Sequence, residues 1–167
     1  KVSFSVRRNT FGFYKLKQMS VFTISDREIS LDDLRGFLSS AVKIELSPES
    51  KNKIDSNRKF LEKKIAEHGA RYYGINTGFG ALCDVEIPNN QLEQLQENLV
   101  MSHACGMGDE VKHEVVKLMM LLKIKGLAQG HSGVSVETVE KLAELFNGGV
   151  YPVIWEVGSL GASGDLA

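Results

Sequence analysis

The sequence predicts a mainly α-helical protein, and three observations support this fold class. Apolar residues recur at helical spacing in five separate segments of the chain. Ser, Asn, Pro or Gly residues stand near the ends of most of these segments, where helices begin and end. The composition, with 43% hydrophobic and 25% charged residues, is that of an ordinary globular domain with a sizeable core.

Two helices are predicted in the first part of the chain. A short apolar stretch, 21–24, precedes a helix over 30–39, where a serine and an aspartate three residues later have capping-box spacing. The next helix begins at 47–49 with the start signal Ser-Pro-Glu and ends at Gly69. Its apolar stripe consists of Ile54, Leu61 and Ile65.

Three further helices are predicted in the second part. One begins after a cap at Asn89 or Asn90 and is amphipathic, because acidic residues lie opposite its apolar stripe. That stripe consists of Leu92, Leu95 and Leu99. The segment 109–129 is apolar on several faces, so we expect a helix buried among others. A last helix covers 136–146, and a short apolar run, 151–155, follows an Asn-Gly-Gly turn.

Charge and cysteine content exclude several function classes. Twenty basic and 21 acidic residues give a net charge of −1, which argues against a nucleic-acid partner. The longest uninterrupted apolar run, 118–122, is far shorter than a membrane span. Cys83 and Cys105 lack the spacing of metal ligands, so we expect no metal site. A soluble cytoplasmic protein with two reduced thiols is the simplest interpretation.

The first 18 residues differ from the rest in charge. They contain five basic residues and no acidic one, which leaves a net charge of −6 for 19–167. No continuous apolar core of a secretory signal is present among them, although an Arg- and Ser-containing transit peptide is conceivable. We expect Met19 to be the natural start and 1–18 to be a poorly ordered extension.

Two loops between the helices have unusual composition. The segment 71–80 contains three glycines within seven residues, which suits either a functional loop or a mobile surface turn. It matches no phosphate-binding motif. The segment 98–106 lies at the far end of an amphipathic helix and contains His103. A lone histidine there is more often a solvated or capping residue than a ligand.

A third loop, 158–167, consists mainly of small residues and suits either a flexible tail or self-modification. In a tight turn, the Gly164 nitrogen can attack the Ala162 carbonyl carbon, and loss of water then closes a five-membered ring. Glycine suits this attack because it has no Cβ to obstruct it. Dehydration of Ser163 would leave an exocyclic methylidene, an electron-poor alkene made from the backbone.

Three motifs in this order resemble those of the aromatic amino-acid ammonia-lyase family, and most closely its histidine-specific members. They lie at 73–80, 98–103 and 161–167, and the resemblance covers 19–167. It implies the N-terminal part of a helical fold with a few short strands, without the central helix bundle. On this basis, 19–130 would be an N-terminal lyase domain, and 131–167 would begin the central helical domain.

The resemblance also implies roles for individual residues. Tyr73 would remove a β-proton from the substrate, and His103 would recognise its ring, with Ser102 and Gly80 in the same binding site. The family's electrophile, 4-methylideneimidazole-5-one (MIO), would form autocatalytically from the tripeptide Ala162, Ser163 and Gly164. The implied reaction is elimination of ammonia from L-histidine to give trans-urocanate, with no external cofactor.

The resemblance further implies a homotetramer in which three subunits complete each active site. Residues beyond Ala167 would bind the substrate carboxylate, so we expect 1–167 alone to be inactive. Two alternatives remain at this point. One is a tyrosine ammonia-lyase or aminomutase of the same family, and the other is a non-enzymatic helical interaction module.

Overall fold

The computed structural model of the protein describes residues 20–67, 71–103 and 105–158, with the backbone alone for Asn89 and His103. Within these ranges the chain forms five α-helices and four short strands, so the mainly α fold class is confirmed. The elements in chain order are β1 (Ser20–Ile24), α1 (Leu31–Ser39), β2 (Val42–Leu46), α2 (Pro48–Ala66), α3 (Leu92–His103), β3 (Met107–Glu110), α4 (His113–Leu127), α5 (Val136–Asn147) and β4 (Trp155–Val157). The predicted extension 1–18, Gly69 and the tripeptide 162–164 lie outside the described residues.

Strands β1 and β2 pair in parallel, and α1 is the crossover between them. The apolar stretch 21–24 forms most of β1, whereas β2 was not predicted from the sequence. Helix α1 begins as predicted, because Ser30 and Asp33 form a capping box. The Ser30 hydroxyl accepts the Asp33 N–H at 3.1 Å, and the Asp33 carboxylate accepts the Ser30 N–H at 3.0 Å.

Hydrogen bonds from Ser30 and a nearby cation stabilise the charged form of Asp33. The Ser30 backbone N–H and then its hydroxyl lower the pKa of Asp33 below its usual value, and the Arg27 guanidinium adds to this effect. Arg27 lies 2.9 Å from both carboxylate oxygens. The N-terminus of α1 therefore contains a carboxylate that favours the ionised state.

Two buried serines attach the start of α2 to the end of β1. The Ser47 hydroxyl caps the helix by accepting the Ser50 N–H at 3.0 Å. The Ser47 N–H and the Ser50 hydroxyl both donate to the Ile24 carbonyl, at 2.9 and 3.3 Å. The predicted start signal is confirmed, and helix α2 ends at Ala66.

The hydrophobic core lies between the β1–β2 pair and helices α1, α2, α4 and α5. Helix α5 packs against both β2 and α4, which places it centrally. The buried apolar residues of this cluster are Ile24, Phe37, Ile44, Leu46, Ile54, Met120, Leu121, Ile124, Ala128, Val139, Ala143 and Phe146. Within the described ranges, no helix is both long and apolar enough to cross a membrane.

Two predictions about helix α4 are wrong. The helix begins at His113 rather than Asp109, because 107–110 forms strand β3. Its surface is also divided, since the face made by Val116, Met120, Leu121 and Ile124 is buried while Val115, Met119 and Leu122 are 45–48% exposed. Apolar residues on several sides of this helix therefore do not mean burial on every side in the described part of the chain.

Helix α3 is amphipathic as predicted, since Leu92, Leu95 and Leu99 are its half-buried residues and most others are exposed. Its start differs from the prediction. Asn89 and Asn90 belong to a 3-10 turn, Asn89–Gln91, that leads directly into α3. The Gln91 N–H donates to the Pro88 carbonyl at 2.8 Å, which closes this turn.

Candidate active site

The glycine-rich loop after α2 is closed by its own hydrogen bonds. The Tyr72 N–H donates to the Asn76 side-chain oxygen at 2.7 Å, and the Asn76 N–H donates back to the Tyr72 carbonyl at 3.2 Å. The Ile87 N–H donates to the Asn76 carbonyl at 2.9 Å, which joins the middle of the loop to the segment that follows it. Asn76 is only 6% exposed. The loop therefore has a defined shape that can present a side chain.

Tyr73 is the side chain that this loop presents to its surroundings. It is 65% exposed, and its ring meets the Phe79 ring edge-on, with centroids 6.0 Å apart. The Tyr73 hydroxyl oxygen accepts the Gly80 N–H at 3.3 Å. The structure thus brings two of the predicted site residues, Tyr73 and Gly80, into contact. The Tyr73 side chain stays accessible to a ligand.

Thr77 lies inside the loop and is 1% exposed. Its hydroxyl accepts the Gly74 N–H at 3.3 Å and donates to the Gly78 carbonyl at 2.9 Å. Gly74 has a φ of +74°, a conformation that favours glycine. Sequence reasoning missed Thr77, and the only signal was a hydroxyl residue set among closely spaced glycines.

Ser102 and His103 lie on a different element, at the C-terminal end of α3. The predicted loop 98–106 is therefore helical over 98–103. The exposed Ser102 hydroxyl donates to the Leu99 carbonyl of its own helix at 2.9 Å. For His103 the structure gives the position in the helix, as its last residue.

A short antiparallel ladder follows α3. Met107 of β3 pairs with Val157 of β4, and the Val111 N–H donates to the Ile154 carbonyl at 2.8 Å beyond the other end of β3. The predicted apolar run 151–155 therefore contributes only Trp155 to a strand, and β3 was not predicted.

The Trp155 ring lies against the backbone just before the ladder. A Cβ at Gly106 would lie 1.9 Å from the Trp155 ring, so this approach requires glycine. Because the strands are antiparallel, the chain before Met107 and the chain after Val157 leave the ladder at the same end.

Ala162, Ser163 and Gly164 lie outside the described residues, so the structure does not place the predicted electrophile. Among the residues that are described, no group of three His, Cys, Asp or Glu side chains could hold a metal ion. Cys83 and Cys105 are both free and exposed.

Comparison with known proteins settles the family. The sequence profile of the family described as aromatic amino acid lyase matches residues 29–167. The chain belongs to this lyase family. The matched range includes all three motif segments, at 73–80, 98–103 and 161–167, and the resemblance noted from these motifs is therefore confirmed.

Curated relatives of this lyase-family chain carry the name histidine ammonia-lyase. The protein from Shouchella clausii is 47% identical over 144 residues, or 86% of this chain. The protein from Streptococcus gordonii is 42% identical over 147 residues, or 88% of this chain. The chain spans 29% and 28% of the lengths of these two relatives.

Solved structures confirm the lyase fold, and this chain covers about a quarter of each of them. Histidine ammonia-lyase from Trypanosoma cruzi is 35% identical with a TM-score of 0.73, and the match covers 84% of this chain and 27% of that one. A tyrosine aminomutase from Streptomyces globisporus is 28% identical with a TM-score of 0.75, and the match covers 84% of this chain and 26% of that one. The four short strands beside the helices of this chain agree with the fold that the resemblance implied.

Proposed function

We propose that the full-length protein eliminates ammonia from L-histidine to give trans-urocanate. The observation that carries this proposal is the 42–47% identity to relatives named histidine ammonia-lyase over most of this chain. Because the chain spans under a third of those relatives, the proposal concerns the whole protein. Residues 1–167 alone would be inactive.

Tyr73 is the proposed general base. A base must reach the proton that it removes, and the exposed Tyr73 side chain, held on a well-defined loop, can approach a bound amino acid. The Gly80 N–H, which donates to this oxygen, would stabilise negative charge on it. The edge-on Phe79 ring limits how far the Tyr73 ring can swing. These contacts support a role for Tyr73 in proton transfer.

His103, with Ser102 beside it, is proposed to set the preference for histidine. One nitrogen of a neutral imidazole donates a hydrogen bond and the other accepts one, so the ring can pair with a substrate imidazole. The position of both residues at the end of a surface-facing helix supports this role. The Gly80 amide is proposed to contribute to the same binding site.

The tripeptide Ala162, Ser163 and Gly164 is proposed to form the MIO group. When formed, this group supplies an electrophile that takes up the substrate and makes ammonia a better leaving group. The family match supports this role, because it includes the motif segment 161–167.

A homotetramer in the cytoplasm is part of the same proposal. The two free, exposed thiols of Cys83 and Cys105 suit a reducing compartment. Light scattering of the full-length protein tests the assembly, and we expect four copies. A stable monomer with full activity would contradict it.

The second candidate function is a tyrosine ammonia-lyase or aminomutase. It is favoured by the similarity to solved tyrosine aminomutases, with TM-scores of 0.75 and 0.76. The identity to those proteins, 27–28%, is well below that to the histidine ammonia-lyases. A non-enzymatic helical module is not supported, because the family match includes every motif segment.

The experiment compares turnover of L-histidine, L-tyrosine and L-phenylalanine by the full-length protein. We expect kcat/KM for histidine to exceed the other two at least about 100-fold, as for a site that hydrogen-bonds its substrate. A preference for tyrosine would favour the second candidate.

Maturation is tested by mass in the same preparation. The peptide with Ala162, Ser163 and Gly164 should be two waters lighter than its sequence, and Ser163→Ala should abolish this loss. An unmodified peptide in active enzyme would overturn the MIO assignment.

A further inference from the structure

We propose that Thr77 is a positioning residue, whose buried hydroxyl orients Tyr73 for proton removal. This inference rests on the proposed function, in which Tyr73 is the general base. Thr77 itself does not contact the substrate, because it is 1% exposed within the loop. It acts through the backbone on either side of it.

The Thr77 hydroxyl is buried in a loop whose other residues are mostly half-buried or exposed. A buried hydroxyl without partners is destabilising, so its hydrogen bonds largely determine its geometry. This hydroxyl is both an acceptor and a donor, since it accepts the Gly74 N–H and donates to the Gly78 carbonyl. It therefore connects the segment before it to the segment after it.

The bond to Gly74 acts directly on Tyr73. The Gly74 nitrogen and the Tyr73 carbonyl belong to one planar peptide group. Fixing the Gly74 N–H therefore fixes the ψ angle of Tyr73, and with it the direction in which the Tyr73 side chain leaves the backbone. Gly74, at a φ of +74°, supplies the turn that brings its N–H to Thr77.

The bond to Gly78 acts on the residues that contact the Tyr73 ring. Phe79 and Gly80 follow Gly78 directly, and they contact the ring and the hydroxyl of Tyr73. One hydroxyl thus holds both the base and the two groups that restrain it. A small error in the position of a catalytic group can cost a large factor in rate, so loss of this hydroxyl should affect catalysis.

The experiment compares Thr77→Val, which keeps the shape of the side chain, with Thr77→Ser, which keeps the hydroxyl. Both are made in the full-length protein, and rates are normalised to MIO content measured by mass. For Thr77→Val we expect kcat to fall about 10- to 100-fold with KM within about threefold. For Thr77→Ser we expect kcat within about threefold of wild type.

Ser50→Ala is the matched control. Ser50 is also 1% exposed, and its hydroxyl is hydrogen-bonded, but it lies on α2 outside the loop. This variant should lower the melting temperature as Thr77→Val does and leave kcat within about twofold.

A double substitution separates positioning from a general structural effect. If Thr77 acts through Tyr73, then adding Thr77→Val to the Tyr73→Phe variant should lower kcat by less than about twofold. A loss that adds fully to that of Tyr73→Phe, or a wild-type kcat in Thr77→Val, would overturn the proposal. A wild-type rate in Tyr73→Phe alone would instead show that the proposed base is wrong.

Amide hydrogen exchange of the wild-type protein tests the geometry if Thr77→Val does not fold. The Gly74 amide, whose acceptor is the buried Thr77 hydroxyl, should exchange at least about tenfold more slowly than an unprotected amide. Exchange at the unprotected rate would show that the bond is not held and would overturn the proposal.

Discussion

The side chain of Asn147 and the backbone of Ile44 exchange two hydrogen bonds, each 2.8 Å long. The Ile44 N–H donates to the Asn147 oxygen, and the Asn147 amide nitrogen donates to the Ile44 carbonyl. Ile44 lies in the middle of β2, whose other side pairs with β1. Asn147, the last residue of α5, therefore takes the place that a third strand would occupy at this edge.

Replacement of Asn147 by alanine should destabilise this edge. Asn147→Ala removes both bonds and leaves two strand groups of Ile44 without protein partners, so we expect the free energy of unfolding to fall by about 1–3 kcal/mol. Denaturant unfolding measures the change. Asn52→Ala, at an exposed position of α2, is the control and should change stability by less than about 0.5 kcal/mol. Equal effects of the two substitutions would contradict this role.

Tyr73→Phe should abolish most of the turnover with little effect on stability. The substitution keeps the ring and its contact with Phe79 but removes the oxygen that accepts the Gly80 N–H. Loss of a positioned general base costs about 10²- to 10⁴-fold in rate. The free energy of unfolding should change by less than about 1.5 kcal/mol. Steady-state kinetics on full-length protein with the MIO group formed measures the change in rate. Tyr72→Phe is the matched control, and its turnover rate should stay within about tenfold of wild type. A larger loss of rate in Tyr72→Phe than in Tyr73→Phe would mean that another group takes the proton.

His103→Leu should change substrate preference. Leucine can pack against a ring but cannot hydrogen-bond to it, so turnover of histidine should fall more than turnover of phenylalanine. Loss of one hydrogen-bonding partner in a polar site costs about 1–3 kcal/mol, or roughly 5- to 150-fold in kcat/KM. Kinetics with both substrates measures the ratio. Equal losses would indicate that His103 has a structural role only.

The capping box of α1 should make stability depend on acidic pH. The pKa of Asp33 is lowered in the folded protein, mainly by the Ser30 backbone N–H, so its stabilising effect is present above the unfolded pKa. That effect is lost as the pH falls through the folded pKa. Asp33→Asn should therefore melt at a lower temperature than wild type at pH 6. The difference in melting temperature between the two proteins should become smaller below about pH 4. A difference that stays constant between pH 6 and pH 3 would show that the charge of Asp33 does not stabilise the helix.

Local signals were sufficient to predict the helices with strong caps. Ser30 with Asp33, and Ser47 before Pro48, act through hydrogen bonds within one turn, so their sequence spacing alone identifies them. The end of α5 was recognisable from the Asn-Gly-Gly turn for the same reason. The apolar stripe of α3 has a single period and was also recognised.

Strand pairing could not be predicted from local signals. The β3 sequence, Met-Gly-Asp-Glu, has little strand preference, and it forms a strand because β4, about 50 residues later, pairs with it. This strand also shortens α4 at its start.

In the candidate site, the motif 73–80 identified Tyr73 and Gly80 as candidate residues. The role of Thr77 depends on which backbone groups its hydroxyl meets in three dimensions, and the sequence does not contain that information.

The β3–β4 ladder also sets an order in time during synthesis. Val157 follows Met107 by 50 residues, and a ribosome adds roughly 5–20 residues per second. Met107 is therefore synthesised about 3–10 s before its partner Val157. During that interval residues 107–110 lack the partner that makes them a strand. The ladder, and the approach of the Trp155 ring to Gly106, can therefore form only after helices α4 and α5 have been synthesised.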